Sequence, residues 1–320
     1  MSTWEMQPTW PDALPVEQGV AAFAVGGGHL SVAGNLGAST WDLASGAMLE
    51  HRPQTGVVKG VTLPDDFGVF FAGRIVGAAL LRFAPGEGDF ELPVQISLGG
   101  LRRLVQLGDG RMLIGPDFGP LAILDGALAE VWKDELPCRT IDAAVSTGGR
   151  TAAALCGVER TVRRVELGAD TIVASDLAAD AAWRALAIAP DGLRFALSRG
   201  DTVDLLDEAG RSIDTLAARA AADILELAWS ADGRWLAAGG RDGHTWIWSV
   251  PDGRLAAVIA DHDERVAALA FDGAWLYSGS WDRTVRRRDL GLLDAPARAL
   301  LETLERSWGR RFADIVSEGL

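Results

Sequence analysis

Lysine is almost missing from this chain of 320 residues: Lys59 and Lys133 stand alone among 30 basic residues, and the rest are arginine. Tyrosine occurs once and cysteine twice. Two cysteines, Cys138 and Cys156, are too few for a disulfide framework in a chain of this size, so buried free thiols are the expectation for both. No run of 18 apolar residues occurs, which removes a transmembrane helix. The N-terminal MSTWEMQPTWPDALPVEQ has no basic stretch leading into an apolar one, and no signal peptide is read there. Positive charge is also scarce relative to negative: 44 acidic residues leave a formal charge of −14. A field of that sign repels phosphate backbones and anionic lipid, so neither nucleic acid nor a membrane surface is an expected partner. The expectation is a soluble, cytoplasmic protein. Arginine in place of lysine, with abundant Ala and Gly, points to a GC-rich bacterial genome.

Catalytic groupings are equally scarce. His29, His51, His244 and His262 are scattered without metal-ligand spacing. Cys-x-x-Cys, HExxH, GxSxG and GxxxxGK[ST] are all absent. Gly26-Gly27-Gly28 lacks the strand-to-helix setting of a dinucleotide site and reads as a hairpin turn. No metal or cofactor is expected.

What the chain does have is repetition. Residues 156–167 read CGVERTVRRVEL and residues 279–290 read GSWDRTVRRRDL, two versions of one phrase set 123 residues apart. Tight turns recur between apolar stretches as VGGGH, LPDD, LGDG, STGG, APDG, SADG and FDG, and pairs such as Asp-Gly favour hairpins. A second turn follows each, leading into a strand that ends in an apolar–acidic pair. Counting back seven from that acid gives Asn35, Glu159, Gly200 and Asp282; Asp242 belongs with them, and Ile75 and Phe118 are weaker matches. The seven occurrences step by about 41 residues, a propeller-blade period. Residues 223–260 show the unit as four short strands joined by turns. One such unit cannot bury both faces; several stacked radially can.

LELAWSADGRWLAAGGRDGHTWIWSVPDG and HDERVAALAFDGAWLYSGSWDRTVRRRDL resemble blades of WD-repeat β-propellers. The resemblance implies a hydrogen-bonded chain of histidine, serine or threonine, aspartate and tryptophan within each blade. Asp242 and Trp248 match two of those positions, and His262, Ser278 and Asp282 match three, with Arg288 where tryptophan belongs. Trp41-Asp42 matches the signature pair of the first repeat, with Asn35 in the aspartate position. The second and third repeats carry little of the pattern. The expected fold is therefore all-β: a seven-bladed propeller of four-stranded antiparallel blades over residues 19–290. Residues 1–18 are expected to close the last blade, by pairing near 3–10 with the strand around 284–290. Residues 291–320 form a tail in which Leu300, Leu301, Leu304, Trp308, Phe312, Ile315 and Val316 draw one apolar stripe, an amphipathic helix over 295–318 that packs on the propeller or on a partner.

Two sites compete for function. Asp142 and Glu226 fall at equivalent places in the innermost strands of the fourth and sixth repeats, as channel carboxylates of a propeller hydrolase or lyase do. Ala22, Ala185 and Ala268 at the equivalent places break any ring. The resemblance puts the residue before each turn aspartate on the propeller's top face: Arg199, Arg241 and Trp281, bordered by Trp183 and Arg265. Arginine and tryptophan are enriched at binding hot spots, and an acidic or phosphorylated peptide suits them. The expected function is a non-catalytic protein-interaction scaffold. The alternatives are the channel enzyme and a fixed subunit docking through its C-terminal helix.

Overall fold

A computed structural model describes residues 13–16, 19–34, 37–53, 57–62, 69–73, 80–82, 90–92, 101–125, 129–168, 171–179, 183–218 and 222–293. Its strands pair into four-stranded antiparallel sheets in simple meander order, except that the last sheet takes its fourth strand from Leu14–Pro15. Each sheet takes the number of its repeat here: sheet 1 runs over 20–53, sheet 2 over 57–92, sheet 3 over 101–137, sheet 4 over 140–179, sheet 5 over 186–217, sheet 6 over 224–260 and sheet 7 over 266–289. First strands of successive sheets lie side by side, and Val266–Asp272 of the last neighbours Val20–Gly26 of the first, so the ring closes. The strands alternate in direction. The loops into each first strand and between second and third strands therefore share one end of the ring, called the entry end below.

Local chemistry makes each unit. The Ser230–Gly233 turn closes with the Gly233 N–H donating to the Ser230 carbonyl at 2.9 Å, and Gly233 sits at a φ of 69° that glycine adopts freely. Second strands are buried on both faces, as in Thr151–Cys156 and Trp235–Gly240, because each is sandwiched between neighbouring sheets. Outer strands such as Ser212–Ala217 are largely exposed. The apolar clusters bridge sheets rather than sit within one. Val203, Leu205 and Leu216 of sheet 5 pack against Ile224, Leu236, Trp246 and Trp248 of sheet 6. Trp235 and Ile247 of sheet 6 meet Val266, Leu269 and Leu276 of sheet 7. Each fully buried side chain of this size contributes about 1.5–3 kcal/mol, so neighbouring sheets stabilise one another, as expected of a repeat ring.

Several expectations are corrected. Seven equivalent blades with a C-terminal helix are not what the described residues show. Six four-stranded blades, those of sheets 1 and 3 to 7, are described with their side chains. Sheet 2 is a sparser element whose strands Leu80–Arg82 and Phe90–Leu92 have three residues each, and it is described by its backbone ladder alone. Helical structure among the described residues amounts to one 3-10 turn, Gly291–Leu293. Residues 295–318, where the amphipathic helix was expected, lie outside them. The cysteines are not free thiols: Cys138 and Cys156 are disulfide-bonded, with Cα atoms 5.0 Å apart. The pairing of the first and second strands of sheet 4 places Cys156 opposite Thr140, two residues beyond Cys138, and so brings the two sulfurs together. On its outer edge Thr284–Asp289 pairs with Leu14–Pro15, with Leu14 opposite Val285 and Pro15 opposite Thr284. Residues 3–10, expected in that role, lie outside the described residues.

Candidate functional site

Six of the first strands carry an irregularity at one level. The ladder to the second strand shifts between Val20 and Ala22, Val58 and Gly60, Leu101 and Arg103, Thr140 and Asp142, Ile224 and Glu226, and Val266 and Ala268. A bulge re-aims the residue that follows it. At four of the seven equivalent positions, counting Ala185 of sheet 5, that residue is Ala or Gly; at three it is charged. Arg103 holds the other two together, with Nε 2.8 Å from Asp142 Oδ1 and Nη2 3.5 Å from Glu226 Oε2. Sheets 3 and 6 are not neighbours, so this contact crosses the centre of the ring. Asp142 also accepts the Leu186 N–H at 2.8 Å, which adds sheet 5 to the network. Burial pushes Glu226 up to about 8; the Arg103 charge offsets this in part and the Asp142 charge adds to it. The Asp142 charge, against the cost of burial, raises Arg103.

Sequence reasoning found the two carboxylates and missed the arginine between them. Its signal was present: LRRLVQ is the third repeat's counterpart of TIDAAV and ILELAW, and aligning the three sets Arg103 beside Asp142 and Glu226. The weak turn signature of the third repeat hid that alignment.

The five surface residues divide into two groups. Arg265 lies with its Cζ 3.4 Å from the centre of the Trp281 ring, and Trp281 remains 50 % exposed. Burial and the neighbouring charge of Arg241 lower the pKa of Arg265. Arg241 is itself well exposed, with its nearest described carboxylate, Asp223, at 3.9 Å. Arg241, Arg265 and Trp281 are thus one cluster at the entry end of sheets 6 and 7. Arg199 and Trp183 meet elsewhere, on Asp204: the Trp183 indole N–H donates to Asp204 Oδ2 at 3.1 Å and Arg199 Nη2 lies 3.2 Å from the same oxygen. Trp183 is buried, so it serves sheet 5 as an internal donor rather than bordering a surface.

The within-blade residues also differ among sheets. In sheet 7, His262 contacts Asp282 Oδ2 through Nδ1 and Ser278 Oγ through Nε2, both at 2.8 Å, and the Thr284 hydroxyl donates to Asp282 Oδ1 at 2.7 Å. Arg288 reaches Asp261 at 2.6 Å instead of completing that chain. In sheet 6, Asp242 accepts the His244 N–H at 3.2 Å while Trp248 is buried among apolar neighbours. The Trp41 indole in sheet 1 donates to Ser39 Oγ at 3.0 Å.

Comparison with known proteins agrees with this geometry where the pattern is strongest. The WD domain, G-beta repeat family matches residues 210–249 and 253–288, a stretch that takes in the outer strand of sheet 5, sheet 6 and most of sheet 7. Radially stacked four-stranded sheets with matched WD40 repeats support a protein of the WD-repeat β-propeller class. Among curated proteins, the chain is similar to the periodic tryptophan protein 2 homolog of Schizosaccharomyces pombe, with 35% identity over 83 residues. That match covers 25% of this chain and spans only 10% of the relative's length.

Proposed function

We propose that this protein is a non-catalytic interaction scaffold that holds an acidic segment of a protein partner against Arg241, Arg265 and Trp281. The observation that carries the reading is the stack of the Arg265 guanidinium on Trp281 beside a second arginine, in a chain of charge −14. Two like charges side by side raise each other's energy, and a partner carboxylate relieves that repulsion while gaining charge-assisted hydrogen bonds. Trp281 adds apolar contact area of the kind that dominates interface energies. WD40 repeats favour protein binding over catalysis. In the channel, Arg103 stands between Asp142 and Glu226, which leaves neither acid an unpaired neighbour of the other.

The test uses the full chain and peptides selected from a random display library, measured by fluorescence anisotropy. Acidic peptides should bind, weaken as salt rises, and lose at least about tenfold in affinity with Arg241→Ala or Trp281→Ala. Selected peptides that carry no acid, or that bind both variants as tightly as the parent, would sink the reading.

A further inference from the structure

We propose that Phe118, Arg139 and Val158 form a second docking surface, on sheets 3 and 4, for a peptide that offers one bulky apolar side chain beside a carboxylate, and that the Cys138–Cys156 disulfide holds this surface in shape. The proposal does not depend on the Arg241, Arg265 and Trp281 cluster.

Val158 and Phe118 are the most exposed large apolar side chains among the described residues, at 64 % and 61 %. A lone exposed valine is ordinary. These two lie at the same end of adjacent sheets, each in a loop between second and third strands. Arg139 joins them. Its guanidinium lies 5.1 Å from the centre of the Phe118 ring, its carbonyl accepts the Gly157 N–H at 2.8 Å, and its own N–H donates to Glu159 Oε2 at 3.3 Å. Neither fold nor ladder asks for Val158. The loop from Cys156 to Thr161 is one residue longer than its counterpart from Ser280 to Thr284. Gly157 packs so close to Ile141 that a side chain there would run into it, and the extra residue is left on the outside.

The occupant follows from charge and shape. Among the described residues no carboxylate is ion-paired with the Arg139 guanidinium, in a chain with an excess of acids. A guanidinium laid on a ring keeps its N–H edge for a carboxylate. Phe118 and Val158 beside it offer apolar contact to one large side chain. The same element, an arginine from an entry loop laid on an exposed aromatic ring, recurs in sheet 7 as Arg265 on Trp281.

The disulfide ties together the two loops of sheet 4 that carry the patch, and a backbone hydrogen bond from Cys138 joins the Phe118 loop to them. Cys138 directly precedes Arg139, and Cys156 directly precedes Gly157 and Val158. The Cys138 N–H donates to the carbonyl of Gly119, the neighbour of Phe118, at 2.7 Å. Sheet 4 lacks the polar chain that does this in sheet 7: Leu136, Ala154 and Glu159 stand where His262, Ser278 and Asp282 do there. A surface held by a covalent bond loses little freedom when a partner docks, which favours affinity.

Random peptides displayed against the full chain test this, followed by anisotropy with individual peptides. Phe118→Ser, Arg139→Gln and Val158→Ser alter exposed side chains and should fold normally by circular dichroism. One class of peptide should carry a large apolar residue next to Asp or Glu. It should weaken at least about tenfold with Phe118→Ser and with Arg139→Gln, and be indifferent to Trp281→Ala. A Cys138→Ser, Cys156→Ser chain should bind it several-fold more weakly. Failure to recover any peptide whose binding depends on Phe118, or recovery of such peptides without an acid, overturns the docking surface. Equal binding by the cysteine-free chain overturns the role of the disulfide.

Discussion

Sheets 4 and 7 carry the same phrase, CGVERTVRRVEL and GSWDRTVRRRDL, and fold it into the same pair of strands around a turn that is one residue longer in sheet 4, yet they secure it differently. Sheet 7 uses a polar relay in which His262 bridges Ser278 and Asp282. In sheet 7 the Ser280 hydroxyl also ties the end of the second strand to the carbonyl of Glu264 at 3.0 Å. Sheet 4 puts cysteines at those last two places and closes the same gap with a disulfide. Its outer half is held by Arg163, whose Nε and Nη2 reach both oxygens of buried Asp134 at 2.7 and 2.8 Å, with Asp176 at 3.0 Å. In sheet 7 the corresponding Arg286 makes no such pair through its Nε. The repeat therefore specifies where the chain must turn and pair. Which bond locks the turn is chosen sheet by sheet.

Changes that remove one lock at a time can break that comparison. The largest effect belongs to Arg163→Ala, which strands the Asp134 carboxylate in the interior and should cost about 3–5 kcal/mol in urea unfolding. The cysteine pair comes next: closing a loop of 18 residues predicts a loss of about 3 kcal/mol for Cys138→Ser, Cys156→Ser. Reductant should bring the parent down to the level of that variant and leave the variant unchanged.

In sheet 7, Asp282→Ala should cost about 2 kcal/mol, and this effect should depend on pH. Burial alone would raise Asp282, but hydrogen bonds from Thr284 and His262 outweigh it and hold the carboxyl below its usual 3.8. Its contribution is present above that value and is lost as pH falls through the folded-state pKa. Hydrogen exchange should therefore show the entry loop of sheet 7 around Asp282 loosening in acid before the loop of sheet 4 that the disulfide closes, and simultaneous loosening of the two loops would deny the contrast. Glu226 runs the other way. Its folded value is raised from 4.5 to about 8, so its contribution is full below pH 4.5 and is lost as pH rises towards 8. The parent should lose at most about 1.4 kcal/mol per pH unit from this group, and Glu226→Gln should remove that slope. The smallest effect sharpens the comparison by transplanting one lock: Glu264→Cys with Ser280→Cys should form a disulfide in sheet 7 and raise stability by about 1 kcal/mol.

Turn periodicity made much of the architecture legible, because Asp-Gly turns and strand-ending acids leave marks at fixed intervals. Those marks fade where a sheet is held by something other than the polar chain. Sheet 2 has few of them and short strands. The third repeat, marked only by its LGDG turn and Phe118, concealed Arg103 and with it the meaning of Asp142 and Glu226. A count of two cysteines argued against a disulfide framework, and the pairing of Cys138 with Cys156 became visible only through the register of Thr140 opposite Cys156. His262, Ser278 and Asp282 were readable because all three members of that chain are spelled out in one repeat. Trp183 was misplaced as a surface residue because its sequence neighbours do not reveal Asp204, 21 residues on, as the acceptor of its indole.

The ring is shut by a strand of two residues, Leu14–Pro15. Pro15 has no N–H to give, and the next residue supplies one, from Val16 to the Arg283 carbonyl at 2.9 Å. What holds the seam is chiefly the Leu14 side chain, 1 % exposed and set among Val20, Leu30 and Val285. In mechanical terms this is a clasp rather than a weld. Tension applied on the N-terminal side of Leu14 would be borne first by a ladder of two residue pairs, and the propeller would part between sheets 7 and 1 while its longer ladders kept their pairing.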